Sequence, residues 1–449
     1  MQKQKLSVAH QLAYACGMMG WSIMINLISV ILIYMYLPPD NSGLPKLITQ
    51  VAVFGFLNVI ALITAGGRLI DAVYDPFIAH FSDRSKHPKG RRTPIMRLAI
   101  LPSFIFCFFV FYPVKQEEST VNIIWLTAML IGFYVSTTTY IIPYNALLPE
   151  LAPEGQDKVR LSTWQSVGYV FGIGIASNAF NLTDFLWHTF HFESRIGALQ
   201  LSVFLLALLA AVSMFVTVFA IDEKKYCKGV PSAVPMINAL KQTVKNRNFL
   251  LFIVADFSYF IAVTIITSGL MYFVTVLLQL PETIGNKLMM VMVLTSFIFY
   301  PIVNVVVKKI GKKIIVIASL LLLSVIFLGI YFLGRGTLQA ELQIYLLIIV
   351  AAIPLASLNI LPNAILAEII ETDSRETHEN KEAIYFAVRY FFVKIAQTFG
   401  IALFAILLIY GKDVGNDLGI RLNGILGFTL CFLAAIIFTR FKENRKTQV

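Results

Sequence analysis

Along the chain, apolar stretches of twenty or more residues alternate with short polar connections. A membrane-spanning helix needs about 20 mostly apolar residues, and about twelve runs meet that length. The first six lie near 12–37, 50–81, 94–114, 121–149, 160–182 and 197–221. The second six lie near 248–278, 284–307, 313–334, 342–370, 382–410 and 420–439. The pattern predicts an all-α membrane protein with twelve transmembrane helices.

The longest polar connection, 222–247, divides the chain into an N-terminal six-helix bundle over 1–221 and a C-terminal one over 248–449, joined by a linker. Two internal echoes support this division. Tyr74-Asp75-Pro76 followed by Gly90-Arg91-Arg92 pairs with Tyr300-Pro301 followed by Gly311-Lys312-Lys313. Asn145-Ala146-Leu147-Leu148-Pro149-Glu150-Leu151 pairs with Asn363-Ala364-Ile365-Leu366-Ala367-Glu368-Ile369. Parallel repeats of six helices, with a solute site near the midplane between them, characterise the major facilitator fold.

Composition narrows the class further. The chain is 58% hydrophobic and 14% charged, whereas a soluble domain carries roughly 25% charged residues. So few charges cannot cover a water-facing surface, so the solvent is lipid. The net charge of +11 would suggest nucleic acid in a soluble protein, but its placement argues otherwise. With twelve spans, 25 of the 36 Lys and Arg fall in connections on one side and seven on the other. The positive-inside rule makes the first side cytoplasmic. It therefore predicts a multi-pass cell (inner) membrane protein with both termini cytoplasmic and no nucleic-acid partner. The four cysteines, Cys16, Cys107, Cys227 and Cys431, have no CxxC spacing, so neither disulfide nor metal site is expected. The six histidines form no metal-ligand or Ser–His arrangement; His188 and His191 fall in an expected external loop. The expectation is a monomeric transporter without cofactor, not an enzyme.

Ionisable residues inside spans carry the chemistry, because each costs at least about 2.5–3.5 kcal/mol at the bilayer centre. The second span contains Arg68, Asp71, Tyr74 and Asp75. Asp71 and Asp75 are four apart and share one helix face, with Arg68 joining the stripe as a charge partner. Asp83 marks the end of the span. The twelve-residue rise from it places Asp71 roughly 18 Å deep, near the midplane of a roughly 30 Å core. Two close carboxylates in low dielectric resist joint ionisation, and a bound proton or sodium ion relieves the repulsion. Lys394, deep in the eleventh span, is expected to pair with Asp71 or Asp75. Asp83, Arg84, Arg91, Glu150, Glu368 and Glu371 lie at span ends and are expected to form a cytoplasmic gate.

The stretch RLIDAVYDPFIAHFSDR followed by Gly-Arg-Arg-Thr-Pro resembles the second-helix signature of the glycoside–pentoside–hexuronide:cation symporters, the melibiose-permease type of the major facilitator superfamily. IPYNALLPEL and AEIIETDSRETHENKEAIYFAVRYFFVKIAQTFG resemble that family's fourth-helix and tenth-to-eleventh-helix regions, so the likeness spans nearly the whole chain. It implies a cation-coupled symporter of a sugar, glycoside or uronate. Asp71 and Asp75 match the cation-site carboxylates, Thr138 an assisting hydroxyl, and Lys394 the eleventh-helix lysine.

The departures concern specificity. Ser22, Ile141 and Ser166 stand where melibiose-type members hold the sugar with charged residues, and Tyr74 stands in place of a cation-site Asn. Sodium wants several compact oxygen ligands and a phenol is bulky, so the coupling ion is expected to be H+ rather than Na+. The pocket is expected to draw instead on Trp21, Ser22, Asn26, Asn145, Trp164, Gln165, Asn359 and Asn363. A lysolipid or organic-anion transporter of the same fold is the competing reading, with a membrane-embedded enzyme or sensor ranked below it.

Overall fold

The computed structural model describes residues 6–36, 45–49, 52–53, 57–152, 155–192, 194–227, 235–336, 338–411 and 413–443. Twelve of its helices are long enough to span a membrane. They are α1 (Val8–Tyr36), α2 (Val59–Arg84), α3 (Thr93–Val110), α4 (Thr120–Leu151), α5 (Gly155–Ser177) and α7 (Arg195–Ala220), then α10 (Arg247–Tyr272), α11 (Glu282–Ile310), α12 (Lys312–Phe332), α13 (Ala340–Thr377), α14 (Glu382–Leu407) and α15 (Leu418–Phe438). Three shorter helices are α6 (Ala179–Phe190), α8 (Glu223–Tyr226) and α9 (Met236–Lys245). Nine of the long helices are also apolar enough to span by composition alone. Among the other three, α2 carries Arg68, Asp71, Asp75, Asp83 and Arg84 within 26 residues.

Local chemistry moves several boundaries. Helix α2 starts at Val59 rather than near residue 50, and Ala52–Val53 pairs antiparallel with Leu57–Asn58 ahead of it. The fifth apolar run breaks at Asn178, whose amide bonds back to Ile175 three residues earlier. The chain resumes as α6, so His188 is helical and His191 closes that helix with φ +50°. The expected external loop at those histidines is therefore mostly helix. The linker holds α8 and α9, with the Asp222 side chain capping α8 through the Lys224 amide.

The described chain forms two compact units. The first comprises residues 1–153, 164–236 and 379–387; the second comprises 154–163, 237–378 and 388–449. The first amino acids of α5 thus belong to the second unit, and those of α14 to the first. Each unit repeats one packing scheme. In the first, α7 packs on α1 and α3, and α4 packs on α2 and α3. In the second, α15 packs on α10 and α12, and α13 packs on α11 and α12. This is the structural counterpart of the repeat seen in sequence. Helix α1 approaches α7 so closely that a Cβ on Gly20 would lie 2.3 Å from the Ala210 carbonyl. Tyr14, Tyr140 and Tyr144 fill the neighbouring core, with stacked rings 4.4 Å and 5.7 Å apart.

Candidate functional site

Helices α2 and α4 position the paired carboxylates. Asp71 and Asp75 are 8% and 1% exposed, so the shared face expected from their spacing is turned into the unit. Thr138 on α4 donates a hydrogen bond to Asp71 Oδ1. Tyr74, between the two acids in sequence, is half-buried and pairs with Thr139 at 3.3 Å. Arg68, expected on the same stripe, is exposed. Gly67 allows the close fit of α2 on α4, since a Cβ there would meet the Tyr134 ring at 2.8 Å. This produces two carboxylates in a low-dielectric site with a hydroxyl on one of them. Such a site favours uptake of a positive ion.

A second polar group in the first unit lies on α1 and α5. Ser22 donates to the Tyr169 carbonyl at 2.7 Å, and Asn26 donates to the Ser22 carbonyl at 2.8 Å. The Trp21 ring lies 6.3 Å from that of Tyr169. Trp164 is half-buried near the start of this unit's part of α5. Gln165 donates to Asn145 at 2.5 Å, and the Asn145 amide donates to the Ile141 carbonyl. Ser22, Asn145 and Gln165, read from sequence as pocket residues, are buried within this packing and join helices to one another.

The first unit also gathers four carboxylates around two guanidinium groups at the basic end of the spans. Glu150 takes Arg91 at 2.7 Å and Arg92 at 2.6 Å, while Arg92 also reaches Glu382 at 3.0 Å and Asp83 at 3.6 Å. Asp83 accepts the amides of Ala383 and Ile384 in the opening turn of α14. A negative group is favourable there because the first amides of a helix have no internal partner. Glu223 does the same for α3, accepting the amides of Arg91, Arg92 and Thr93 at 2.7–3.2 Å. Burial, reinforced by the Glu382 charge, pushes Asp83, in the last turn of α2 beyond the apolar run that ends near 81, up to about 7. Burial opposes the charge on Arg92, but Glu150, Glu382 and Asp83 together raise its proton affinity above the ordinary value. Arg84, expected in this group, is exposed at the last position of α2.

The second unit contains corresponding contacts with lysines. Lys312 pairs with Glu368, and Lys158 pairs with Glu371, which also holds Arg375 at 2.5 Å. Glu443 accepts the Lys312 amide at 2.7 Å, as Glu223 caps α3 in the first unit. Burial pulls the Lys158 ammonium below its usual range despite the Glu371 charge beside it. Deeper in this unit, Asp256 on α10 accepts Arg389 of α14 through both oxygens, at 2.7 Å and 3.1 Å. The same guanidinium donates to Asn363. Asn363 is thus held by an arginine, and Asn359 accepts from Tyr259 at 3.2 Å. Lys394 is half-buried on α14.

Lys158, Lys312, Arg389, Glu223, Asp256 and Glu382 were not among the site residues expected from sequence. Asp256 offered a signal, as a lone acid inside an apolar run. Glu223 and Glu382 offered none, because their partners lie 131 and 290 residues away.

Known proteins share this architecture. The sequence profile of the family described as MFS/sugar transport protein matches residues 13–441. The chain is 22% identical to an uncharacterized symporter of Synechocystis sp., over 90% of this chain and 86% of that protein. It is also 22% identical to the inner membrane symporter YicJ of Escherichia coli, over 92% and 84%. An isoprimeverose transporter of Lactiplantibacillus pentosus is 23% identical over 60% of this chain and 53% of that one. Among solved structures, a bacterial homologue of the iron transporter ferroportin in an outward-facing state superposes with TM-score 0.70 at 14% identity, covering 97% and 99% of the two chains. The proton:xylose symporter XylE superposes with TM-score 0.67 at 14% identity, covering 98% and 96%. At such identities the structural likeness speaks for the fold.

Proposed function

The chain belongs to the MFS/sugar transport protein family, and from that membership we propose that it is a monomeric, cation-coupled symporter of a sugar, glycoside or uronate. Membership makes it a multi-pass membrane transporter of the major facilitator type, not an enzyme. The observation that carries the coupling is the buried pair Asp71 and Asp75, with Thr138 donating to Asp71. Two ionised acids so placed repel each other, so the site gains by taking up a cation. The cation biases alternating access only by its differential affinity for the two states.

The coupling ion is a proton. Tyr74 pairs with Thr139, and Thr138 donates to Asp71. A carboxylate needs no further ligands to hold a proton, whereas sodium needs several compact oxygens. The basic side of the membrane, where the Arg91–Arg92 cluster sits, is the cytoplasmic side. Isoprimeverose and xylose, carried by proteins similar to this one, form the first panel of solutes, followed by uronates. The test is uptake of each labelled solute into proteoliposomes under an imposed pH or sodium gradient. Accumulation above equilibrium driven by the pH gradient alone is expected. Equal accumulation with no gradient, or none of any sugar or uronate, would overturn the reading.

A further inference from the structure

The linker helix α9 has a composition and placement that transport itself does not require. It runs Met236–Lys245, and only Asn246 separates it from the span α10. That residue makes the junction stiff. Its amide bonds back to the Gln242 and Thr243 carbonyls, and its side chain caps α10 through the Phe249 amide at 3.1 Å. Helix α9 is therefore fixed at the mouth of a membrane-spanning helix, where water meets the headgroups.

Its faces are sorted. Ala239 and Thr243, four apart, are buried against the protein. Ile237 and Val244, seven apart and so on one stripe, are 61% and 43% exposed. Leu240 lies between them and is half-buried. Lys241 and Lys245 flank the stripe, both exposed, and Arg247 follows at the start of α10. No acidic residue occurs from Pro235 to Arg247. An apolar stripe bordered by lysines, next to the start of a membrane-spanning helix, suits the boundary between acyl chains and phosphates. The long lysine stems allow apolar contact while the ammonium groups stay with the headgroups. The end of α15 adds charge to the same place. Asn248 bonds to the Lys442 main chain at 3.2 Å and 3.3 Å, and the Lys442 and Arg440 side chains are exposed.

We propose that α9 is a docking surface for the anionic phospholipids of the adjoining leaflet, with Ile237 and Val244 entering the acyl boundary while Lys241 and Lys245 bind headgroup phosphates. The occupant is lipid rather than a soluble partner, because the membrane-spanning α10 begins two residues after α9 ends and the lysine-bordered stripe complements acyl chains and phosphates. The proposal rests only on the chain's being a membrane protein and not on what it carries.

The test is amide hydrogen exchange of the full-length protein in phosphatidylcholine vesicles with and without phosphatidylglycerol. The α9 amides are expected to exchange more slowly with phosphatidylglycerol, while those of α10 stay unchanged. Lys241→Gln with Lys245→Gln is expected to remove about 25-fold of that protection, at about five-fold per basic residue near an anionic surface. Ile237→Ser with Val244→Ser is expected to speed α9 exchange in both lipids. Equal exchange of parent α9 in the two lipids would overturn the proposal without any variant. So would a glutamine variant that kept the full phosphatidylglycerol effect while α10 remained protected.

Discussion

Neutralising one member of the Asp256–Arg389 pair should cost far more than neutralising both. The pair is 5% and 6% exposed, and Arg389 is bound by both Asp256 oxygens as well as by Asn363. Asp256→Asn leaves the guanidinium buried without its counter-charge. Arg389→Gln leaves the carboxylate in the same position. Breaking a buried pair from one side costs about 3–5 kcal/mol, whereas replacing the whole pair is often close to neutral.

The first unit supplies a natural control. There Gln165 takes the place of the arginine and holds Asn145 at 2.5 Å, so a neutral amide clamp joins the equivalent helices. The double variant Asp256→Asn/Arg389→Gln should therefore lie within about 1.5 kcal/mol of the parent. Two single losses of about 3–5 kcal/mol then imply a favourable coupling in the double variant of at least about 4 kcal/mol. The assay is a double-mutant cycle on denaturant unfolding of the purified protein in one detergent. Additive losses, or single variants costing under about 1 kcal/mol, would show that the charges are not a mutually dependent buried pair.

Two further outcomes follow from the Arg91–Arg92 cluster. Asp83 holds its proton up to about 7 when folded, against an ordinary value of 3.8. Between those values the folded state binds more protons, so stability is highest at the acid end and falls as pH rises towards 7. Asp83→Asn should flatten that slope in unfolding midpoints measured against pH; an unchanged slope would remove Asp83 as its source. Gly90 has φ +131°, and a Cβ there would lie 2.3 Å from Glu223. Gly90→Ala should thus cost about 1–3 kcal/mol, and adding Glu223→Gln should cost little more, because the cap is already displaced. Full additivity in unfolding measurements would contradict this.

Features written in local patterns were legible from sequence, and those made by distant partners were not. Twelve apolar runs mark the spans, because lipid demands length and hydrophobicity from each helix separately. Asp71 and Asp75 stood out because ionisable residues are costly in a span and their spacing puts them on one face. Both are buried, and Thr138, which entered only through the family resemblance, donates to Asp71, while Arg68, assigned by the same spacing, is exposed. The echo of Asn145–Glu150 in Asn363–Glu368 located equivalent helix ends but not their partners. Glu150 is bound by two arginines and Glu368 by a lysine. Asn145 and Asn363 look from sequence like donors for a solute. In the structure each also has a partner on a neighbouring helix, Gln165 and Arg389 respectively. Hydrogen-bonding residues on membrane helices suit both roles, and sequence spacing does not name their protein partners. The helices of the linker were missed because α8 and α9 are too short and too polar to register as apolar runs.

Proton movement accompanying solute in the Asp71→Asn/Asp75→Asn variant tests the central claim most directly. With the substrate identified by the panel, solute-driven pH change is recorded in weakly buffered proteoliposomes, alongside exchange of labelled solute at equilibrium. Proton entry with solute is predicted for the parent. In the variant, solute exchange should persist while proton entry and uphill accumulation disappear. A variant that still moves protons with solute, and concentrates solute as the parent does, would contradict coupling at these two acids.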